Sequence, residues 1–533
     1  MSAPSIFNDV LGPVMRGPSS SHCAASLRIG RICRDLMDGI IKEALVEFDP
    51  NGSLATTHES QGSDMGLFGG FLGWEADDER LPEYQKAIQE AGIDIKIAIH
   101  DIGAEHPNTY KITLKNRHES HELTALSVGG GMIEIVAIDG ASVSIGGDYF
   151  ETLIYVTSFA GIREYLSARV KADEINICRG KENFIEIKAQ AFPDDEILAE
   201  LSDMQHVLLI KKLTPVLPVL SHKNMKVPFL TCDEMLEYNR DKNLALWQLA
   251  VHYEAARGRL THEEVFVKMQ EIVAIMRAAV DTGLKGTAYE DRILGCQSVN
   301  FKDRLEKKKL IDGDVLNRII LFVTAIMEVK SSMGVIVAAP TAGSCGALPG
   351  AILGVASAMN LSDEEIVKAM LAAGMIGVFI SAHATFAAEV GGCQAECGSA
   401  AGMAAAGLVA MAGGNLAQSL SAASFALQNS FGMICDPVAN RVEAPCLGKN
   451  VLAASNALSC ANMALADYDH LIPLDEVIEA MNKVGNSIPN DLCCTALGGL
   501  SITKTSTQIE EKLRANKKSD SQVGLAAGRF KIC

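Results

Sequence analysis

The most constraining feature of this chain is a stretch with no charged residue, Ala369–Ala388 (AMLAAGMIGVFISAHATFAA). As a helix, it is about the length needed to cross a bilayer. It is rich in Ala and Gly, carries Ser381 and His383, and lacks flanking aromatic or arginine anchors. Those traits favour a helix buried in protein over one buried in lipid. A helix apolar on every side needs other helices around it. The sequence beyond residue 240 offers them. Leu244–Arg257, Glu263–Thr282, Val315–Lys330, Ser362–Ala384, Gly398–Ala412 and Leu474–Val484 all repeat apolar residues at the helical period. Strand-like alternation is scarce there, so 241–533 is expected to be a mainly-α domain.

The first 150 residues read differently. A helix is expected over Ala24–Met37, followed by period-two runs in ALVEF, IDIKIAIHDI, TYKITLKN and GMIEIVAI. Glycine clusters at Gly69–Gly70, Gly129–Gly131 and Gly146–Gly147 are expected to punctuate them. Residues 151–220 then give strand, helix, strand, strand, helix, strand: TLIYVTS, GIREYLSARV, EINICRG, FIEIKAQ, DDEILAELSDM and HVLLIKKL. That order is the ferredoxin-like βαββαβ unit. It resembles an ACT domain, a module that binds an amino-acid effector or dimerises. Residues 221–240 read as a linker or docking segment. The expectation is therefore a multidomain chain, with an α+β N-terminal domain, an ACT-like middle domain and an α-helical C-terminal domain.

Charge narrows the partners. Lys and Arg total 47 against 65 Asp and Glu, a formal charge of −18. A nucleic-acid surface needs clustered cations, so no nucleic-acid partner is expected, and no membrane span either. The N-terminus, MSAPSIFNDVLGPVMRG, shows no basic segment followed by an apolar one, which leads us to expect a cytoplasmic protein. Under that expectation the 14 cysteines are metal ligands, reactive groups or small core residues rather than disulfides.

Four segments carry candidate chemistry. GPSSSH (Gly17–His22) places three hydroxyls before a helix, where unpaired N–H groups attract anions; on local chemistry alone a plain serine-rich cap is the favoured reading. AAPTAGSCGALPG (Ala338–Gly350) sets Cys345 between Gly343 and Gly346 at a turn into a helix. Cys393, Cys435 and Cys446 are spaced by 42 and 11 residues, unlike a zinc finger or a ferredoxin. Each lies beside Gly, Pro or Asp, where loops can grip a cofactor. Finally, Cys533 is the last residue.

Taken with HPNT (His106–Thr109), SVGGG (Ser127–Gly131), EVG…CQAE, CDPVA and PC…KN, these motifs resemble the iron–sulfur-dependent L-serine dehydratases, in the single-chain form with a β-type domain before an α-type domain. The resemblance covers nearly the whole chain. It implies β-elimination of L-serine to pyruvate and ammonia without pyridoxal phosphate. It implies a four-iron, four-sulfur (4Fe-4S) cluster on Cys393, Cys435 and Cys446, with Cys533 as a displaceable fourth ligand. Three thiolates leave one iron open, and an open metal acts as a Lewis acid on the substrate hydroxyl. His22 is the candidate base or carboxylate-positioning group. Ser19, Ser20 and Ser21 are candidates for the substrate carboxylate, and Asp64, Thr341, Lys449 and Asn450 complete the candidate pocket. A small amino acid is the expected partner, and a homodimer the expected assembly. Cys345 and Cys397 are expected to pack.

The chain also departs from the family pattern. Within GSLATTHESQGSD, Gln61 stands where many members carry histidine; Asp64 is retained and His58 lies three residues earlier. A glutamine is no base, so either His58 substitutes or this position shapes substrate choice, with L-threonine and L-cysteine as alternatives. Cys23 replaces the usual threonine, and one extra residue lies between Glu389 and Cys393. Two other classes fit the sequence less well. Asn300–Arg304 (NFKDR) faintly resembles the lysine motif of pyridoxal phosphate dehydratases, but the glycine expected next is missing and a solvated charged helix explains it. A non-enzymatic iron–sulfur sensor would need an output surface that the acidic charge does not suggest.

Overall fold

The computed structural model describes residues 3–524, with side chains through 515. Its contacts group into two compact units. The first comprises Ser20–Leu230 with the N-terminal segment through Met15 and His252–Val265. The second comprises Arg16–Ser19, Thr231–Val251 and the chain from Phe266 onward.

In the first unit the alternating runs pair into a six-stranded sheet in the order Asp94–Ile99, Glu43–Phe48, Thr109–Lys115, Ser120–Gly129, Met132–Ile138 and Ala141–Ile145. The first pair is parallel and the rest are antiparallel. Alternation buries one face: Ile112, Leu114, Leu123, Ala125, Ile133 and Ile135 form a core with Ile29, Ile32 and Phe71 from the helices. The helix Ala25–Leu36 packs on the helix Ser63–Phe71. Gly69–Gly70 thus sits inside a helix instead of punctuating strands. The reason is close approach: a Cβ on Gly70 would collide with the Leu27 carbonyl.

The βαββαβ reading matches a four-stranded antiparallel sheet ordered Val207–Leu213, Phe150–Val156, Phe184–Ala189, Glu174–Cys178, with helices Ile162–Arg169 and Asp195–Ser202. One face buries Ile154, Val156, Ile185 and Ile187 against Ile162, Leu166 and Leu201 from the two helices. The other buries Leu153, Tyr155, Phe184 and Leu213 in the core of the six-stranded sheet. With both faces covered, the strand Phe150–Val156 reads as an almost continuous apolar run.

In the second unit the expected helices form at Asp314–Ser331, Asp363–His383, Ser399–Met411 and Leu474–Gly485, joined by Ala347–Met359, Leu416–Gln428 and Cys446–Leu465. Ser399–Met411 sits at the middle, packed on Ala347–Met359, Asp363–His383, Leu416–Gln428 and Cys446–Leu465. Asp363–His383 is the described helix long and apolar enough to cross a membrane, and 78% of its apolar window is buried in protein. Its start is fixed by a capping box between Ser362 and Glu365. The segment 221–240 contains a short helix, Cys232–Asn239, capped by Thr231 and Glu234. The NFKDR segment lies in the helix Ser298–Glu306, where Asp303 pairs with Lys307 at 2.6 Å.

Candidate metal centre

Four separate stretches of the second unit bring sulfur together. Cys393 follows Gly392, whose backbone (φ 68°, ψ −174°) breaks the helix so that the chain turns back. Few residues other than glycine take that conformation. Gln394 then ties this turn to the next cysteine loop. Its N–H donates to Met433 O at 2.9 Å. Its Oε1 accepts from Gly432 N at 2.8 Å, and its Nε2 donates to Met481 O at 2.7 Å. Cys435 is held from the other side, its N–H donating to Leu492 O at 2.8 Å while its carbonyl accepts from Cys494 N at 2.9 Å. Cys446 opens the helix Cys446–Leu465.

All of these thiols are buried. The Cys435 thiol is in hydrogen-bonding contact with both Cys393 and Cys494, and these contacts and burial push it well up. Burial also raises the Cys446 thiol, with the charges of Cys393 and Glu396 adding and Lys330 and Lys449 opposing. Neutral thiols crowded so closely are a site that a cation relieves by taking the protons' place. The ligand atoms of Cys393, Glu396 and Cys435 lie within 4.8 Å of one another.

Two charged side chains complete the site. Lys449 Nζ lies 3.8 Å from Cys393 Sγ, 2.7 Å from Asp436 Oδ1 and 2.6 Å from Ile434 O. Burial alone would lower its pKa, but Cys393, Asp436 and Cys435 outweigh burial and raise it. Glu396 is pushed up to about 7, by burial first; the Thr341 hydrogen bond and the two lysines oppose. Thr341 Oγ1 donates to Glu396 Oε1 at 2.5 Å.

Asn450, expected to line the pocket, acts instead as a clamp inside the protein. Its Oδ1 accepts from Gly346 N (3.1 Å) and Ala347 N (2.9 Å), and its Nδ2 donates to Gly343 O (2.7 Å) and Cys446 O (2.9 Å). Cys345 is fully buried beside Met327 Sδ at 3.8 Å, in a packing environment. Cys397 lies closer to the site than expected: Asn450 Nδ2 reaches its sulfur at 3.7 Å, and Cys393 and Cys446 both act on its charge. Glu396 and Cys494 escaped the sequence reading. A glutamate three residues after Cys393 in an Ala/Gly-rich segment, and the Cys493–Cys494 pair, were the available signals. Cys533 lies outside the described residues.

The remaining candidates gather in the first unit, Ser19 excepted, which is buried and groups with the second. Ser20, Ser21 and His22 form a wide turn at the start of the helix Ala25–Leu36. His22 Nε2 is 2.8 Å from Thr57 Oγ1, whose own proton goes to Ser53 O at 2.7 Å. Nε2 therefore carries hydrogen. Burial, and then the charge of His58, press the His22 pKa down to about 3. His58 Nδ1 is 2.8 Å from Asp64 Oδ1. Burial pulls the His58 pKa down, but the bond to Asp64 and the charges of Asp64 and Glu59 raise it overall. Gln61 is buried nearby in sequence. Ser127 Oγ donates to Ser21 O at 2.7 Å and Ser127 N to Asn108 O at 3.0 Å. Asn108 Oδ1, from the HPNT segment, is a buried oxygen without a hydrogen-bond partner.

The family model for the serine dehydratase alpha chain matches residues 241–501. A probable L-serine dehydratase alpha chain of Bacillus subtilis is 37% identical over 285 residues, covering 54% of this chain and 95% of that protein. The probable beta chain of the same organism is 34% identical over 217 residues, 39% of this chain and 97% of its own length. An L-serine dehydratase of Haemophilus influenzae is similar over 91% of this chain and 96% of its own length, at 25% identity.

Proposed function

We propose, for a chain that belongs to the serine dehydratase family and is an L-serine ammonia-lyase, that dehydration depends on a 4Fe-4S cluster held by Cys393, Cys435 and Cys446. The observation that carries this reading is the convergence of these buried thiols beside the Lys449 ammonium. The donor set fits the group: sulfur suits iron–sulfur chemistry, and three cysteines leave one iron for a substrate. When bound, the cluster supplies a Lewis acid for the serine hydroxyl.

The chain's own side chains do the rest. Lys449 balances negative charge on Cys393, and Asp436 keeps Lys449 in place. Thr341 holds Glu396 toward the thiols. The turn Ser20–His22, with Ser19 before it, receives the substrate carboxylate at a helix start. Asn108 Oδ1 offers an unpaired acceptor suited to the substrate ammonium. The proton on Cα needs a base poised near the working pH. His22, neutral down to about pH 3, is a weak acceptor. His58, oriented and made more basic by Asp64, takes that role, compensating for Gln61. His22 then positions rather than abstracts.

Strictly anaerobic protein is expected to be brown and to contain four irons per chain by this reading. Cys393→Ala should abolish both colour and turnover, and full activity without iron would refute the proposal. His58→Gln should lower kcat far more than His22→Gln. Serine, threonine and cysteine assayed side by side decide the substrate. For Cys533 we retain the role of displaceable ligand: its removal should leave the cluster bound but more labile to oxygen. We further propose a homodimer, with the four-stranded module as its contact or effector-binding unit; light scattering with and without that module's edge-strand substitutions tests it.

A further inference from the structure

A second group of buried charge lies far in sequence from the thiols, on the four-stranded sheet of the first unit. Side chains alternate along its strands, so Glu151 shares a face with Leu153 and Tyr155, and Glu186 and Lys188 share it with Phe184. That face is set against the core of the six-stranded sheet. Register places Lys188 directly opposite Glu151, with Glu186 diagonal to it. Glu151 is 1% exposed and Glu186 2%. Yet neither carboxylate oxygen of Glu151 has a hydrogen-bond partner among the described residues, nor has Glu186 Oε1. Lys188 Nζ is 3.9 Å from Glu151 Oε1 and donates to Ser144 O, on the edge strand Ala141–Ile145. Asn176 Nδ2 donates to the other Glu186 oxygen, Oε2, at 2.9 Å. Orphaned buried groups of this kind point to a proton, a water or an ion that completes them. We propose that Glu151 and Glu186 form a site for one hard divalent cation of the calcium class, at the polar end of the seam between the two sheets. The site shares no residue with the cysteine-rich centre and does not rest on the cluster reading.

Charge selects a cation. Burial, and then the charge of Glu186, push the Glu151 pKa well above the usual carboxylate range; Asp148 and Glu174 add to the rise and Lys188 opposes it. Four carboxylates against one ammonium leave an excess of three negative charges, of which a divalent ion removes two. Lys188, at 3.9 Å, balances charge without giving either Glu151 oxygen a hydrogen bond. Residues at diagonal positions start about 7 Å apart, so an ion with oxygen ligands at ~2.3–2.6 Å fits between the two carboxylates. Oxygen donors suit calcium better than zinc. The donor set is irregular, and calcium accepts irregular geometry where magnesium demands an octahedron. Waters complete the shell. They and the ion enter along the edge strand Glu174–Cys178, where Glu174 and Asn176 are exposed. The bound ion ties Phe150–Val156 to Phe184–Ala189 while Lys188 keeps its bond to Ser144, so the two sheets hold together more firmly.

The test uses the full-length protein, kept anaerobic, with terbium(III) as luminescent probe and calcium as its competitor. Lys188 Nζ lies 5.7 Å from the centre of the Tyr149 ring, so Tyr149 is near enough to sensitise terbium bound here. We expect one equivalent of terbium to emit and calcium to displace it. Glu151→Gln and Glu186→Gln, both nearly isosteric, should each weaken calcium binding at least tenfold, while the surface change Glu79→Gln leaves it within twofold. Lys188→Met removes the competing ammonium and should tighten binding. Tyr149→Leu should dim the emission without abolishing stabilisation by calcium. Calcium at about a hundred times its Kd should raise the melting midpoint of the parent by about 3 °C or more and leave that of Glu151→Gln unchanged. Circular dichroism checks that each variant is folded. Emission and stabilisation that ignore both glutamate changes overturn the site, as does a parent that gains no stability from calcium. If stability instead falls as pH rises past the ordinary glutamate value of about 4.3, and Glu151→Gln removes that fall while calcium has no effect, the carboxylates hold a proton in place of a metal and the proposal fails.

Discussion

Asn450→Ala tests how the loop Thr341–Gly346 is kept beside the thiols. The amide makes four hydrogen bonds with backbone groups of the second unit. Two of those groups have support elsewhere. Ala347 N also reaches Ser344 O at 3.0 Å, and Cys446 O faces its own helix. The other two, Gly346 N and Gly343 O, depend on Asn450 and lie in buried residues. A buried donor or acceptor left unpaired costs about 1–3 kcal/mol. Two of them at the middle of that range cost about 4 kcal/mol, and at 1.4 kcal/mol per tenfold that corresponds to roughly a thousandfold. Hydrogen–deuterium exchange of peptides from 341–350 reads this as local opening. The variant's exchange there should rise by two to three orders of magnitude, with little change in the six-stranded sheet of the first unit. Asn450→Asp keeps an acceptor for Gly346 N and should fall between parent and Ala. Exchange within tenfold of the parent in the Ala variant would mean the clamp is dispensable and the energetic reasoning is wrong.

Three further expectations follow from single contacts. Gly392→Ala forces a side chain into a backbone with φ 68°, where its Cβ would lie 2.8 Å from Met433 O and 2.9 Å from Ile488 Cδ1; strain of about 1–3 kcal/mol plus the collision should displace Cys393 and lower iron per chain, and unchanged iron content counts against the kink as an organiser. Asp64→Asn removes the charge that does most to raise the His58 pKa and leaves burial opposed chiefly by Glu59, so His58 should titrate lower than in the parent by NMR. Because the parent pKa is raised, the stability His58 contributes is complete below the ordinary value near 6.5 and is lost as pH rises through the folded value, and the Asn variant should lack that alkaline loss. His22 has the opposite sign: with its pKa pressed to about 3, the unfolded chain binds a proton the folded one refuses, so stability falls as pH drops from about 6.5 toward 3. His22→Gln should reduce that fall by up to about 1.4 kcal/mol per pH unit, measured as unfolding midpoints at pH 6 and pH 4; identical slopes would show that His22 is not held neutral.

Periodicity and site geometry were legible in the sequence to very different degrees. The alternating runs and the helical repeats lie in contiguous residues, and burial of one stripe or one face follows from local spacing alone. Thus Asp314–Ser331 and Asp363–His383 agree with the expected helices to within a residue or two at each end, and the βαββαβ order appears as a sheet. Tertiary approach is not local. Gly69 and Gly70 look like a turn in sequence because nothing adjacent shows that Leu27 of another helix presses on them. Asn450 looks like a polar pocket residue because its partners, Gly343 and Gly346, are more than a hundred positions away.

The cysteine-rich site combines both situations. Cys393, Cys435 and Cys446 could be singled out because cysteine beside Gly, Asp or Pro is rare chemistry in a loop, while Glu396, in the same segment, carried no such mark. A carboxylate in an alanine-rich helix ordinarily reads as a solvent-facing residue. Its significance comes from Thr341, 55 residues earlier, and Cys435, 39 residues later, which together draw it inward. The same logic separates the two histidines. GPSSSH drew attention to His22, yet burial makes it a poor proton acceptor, and the less conspicuous His58 gains basicity from Asp64 six residues on. What a side chain can do chemically is set by the neighbours that shift its charge, so residue type proposes a role and the packed environment selects among the candidates.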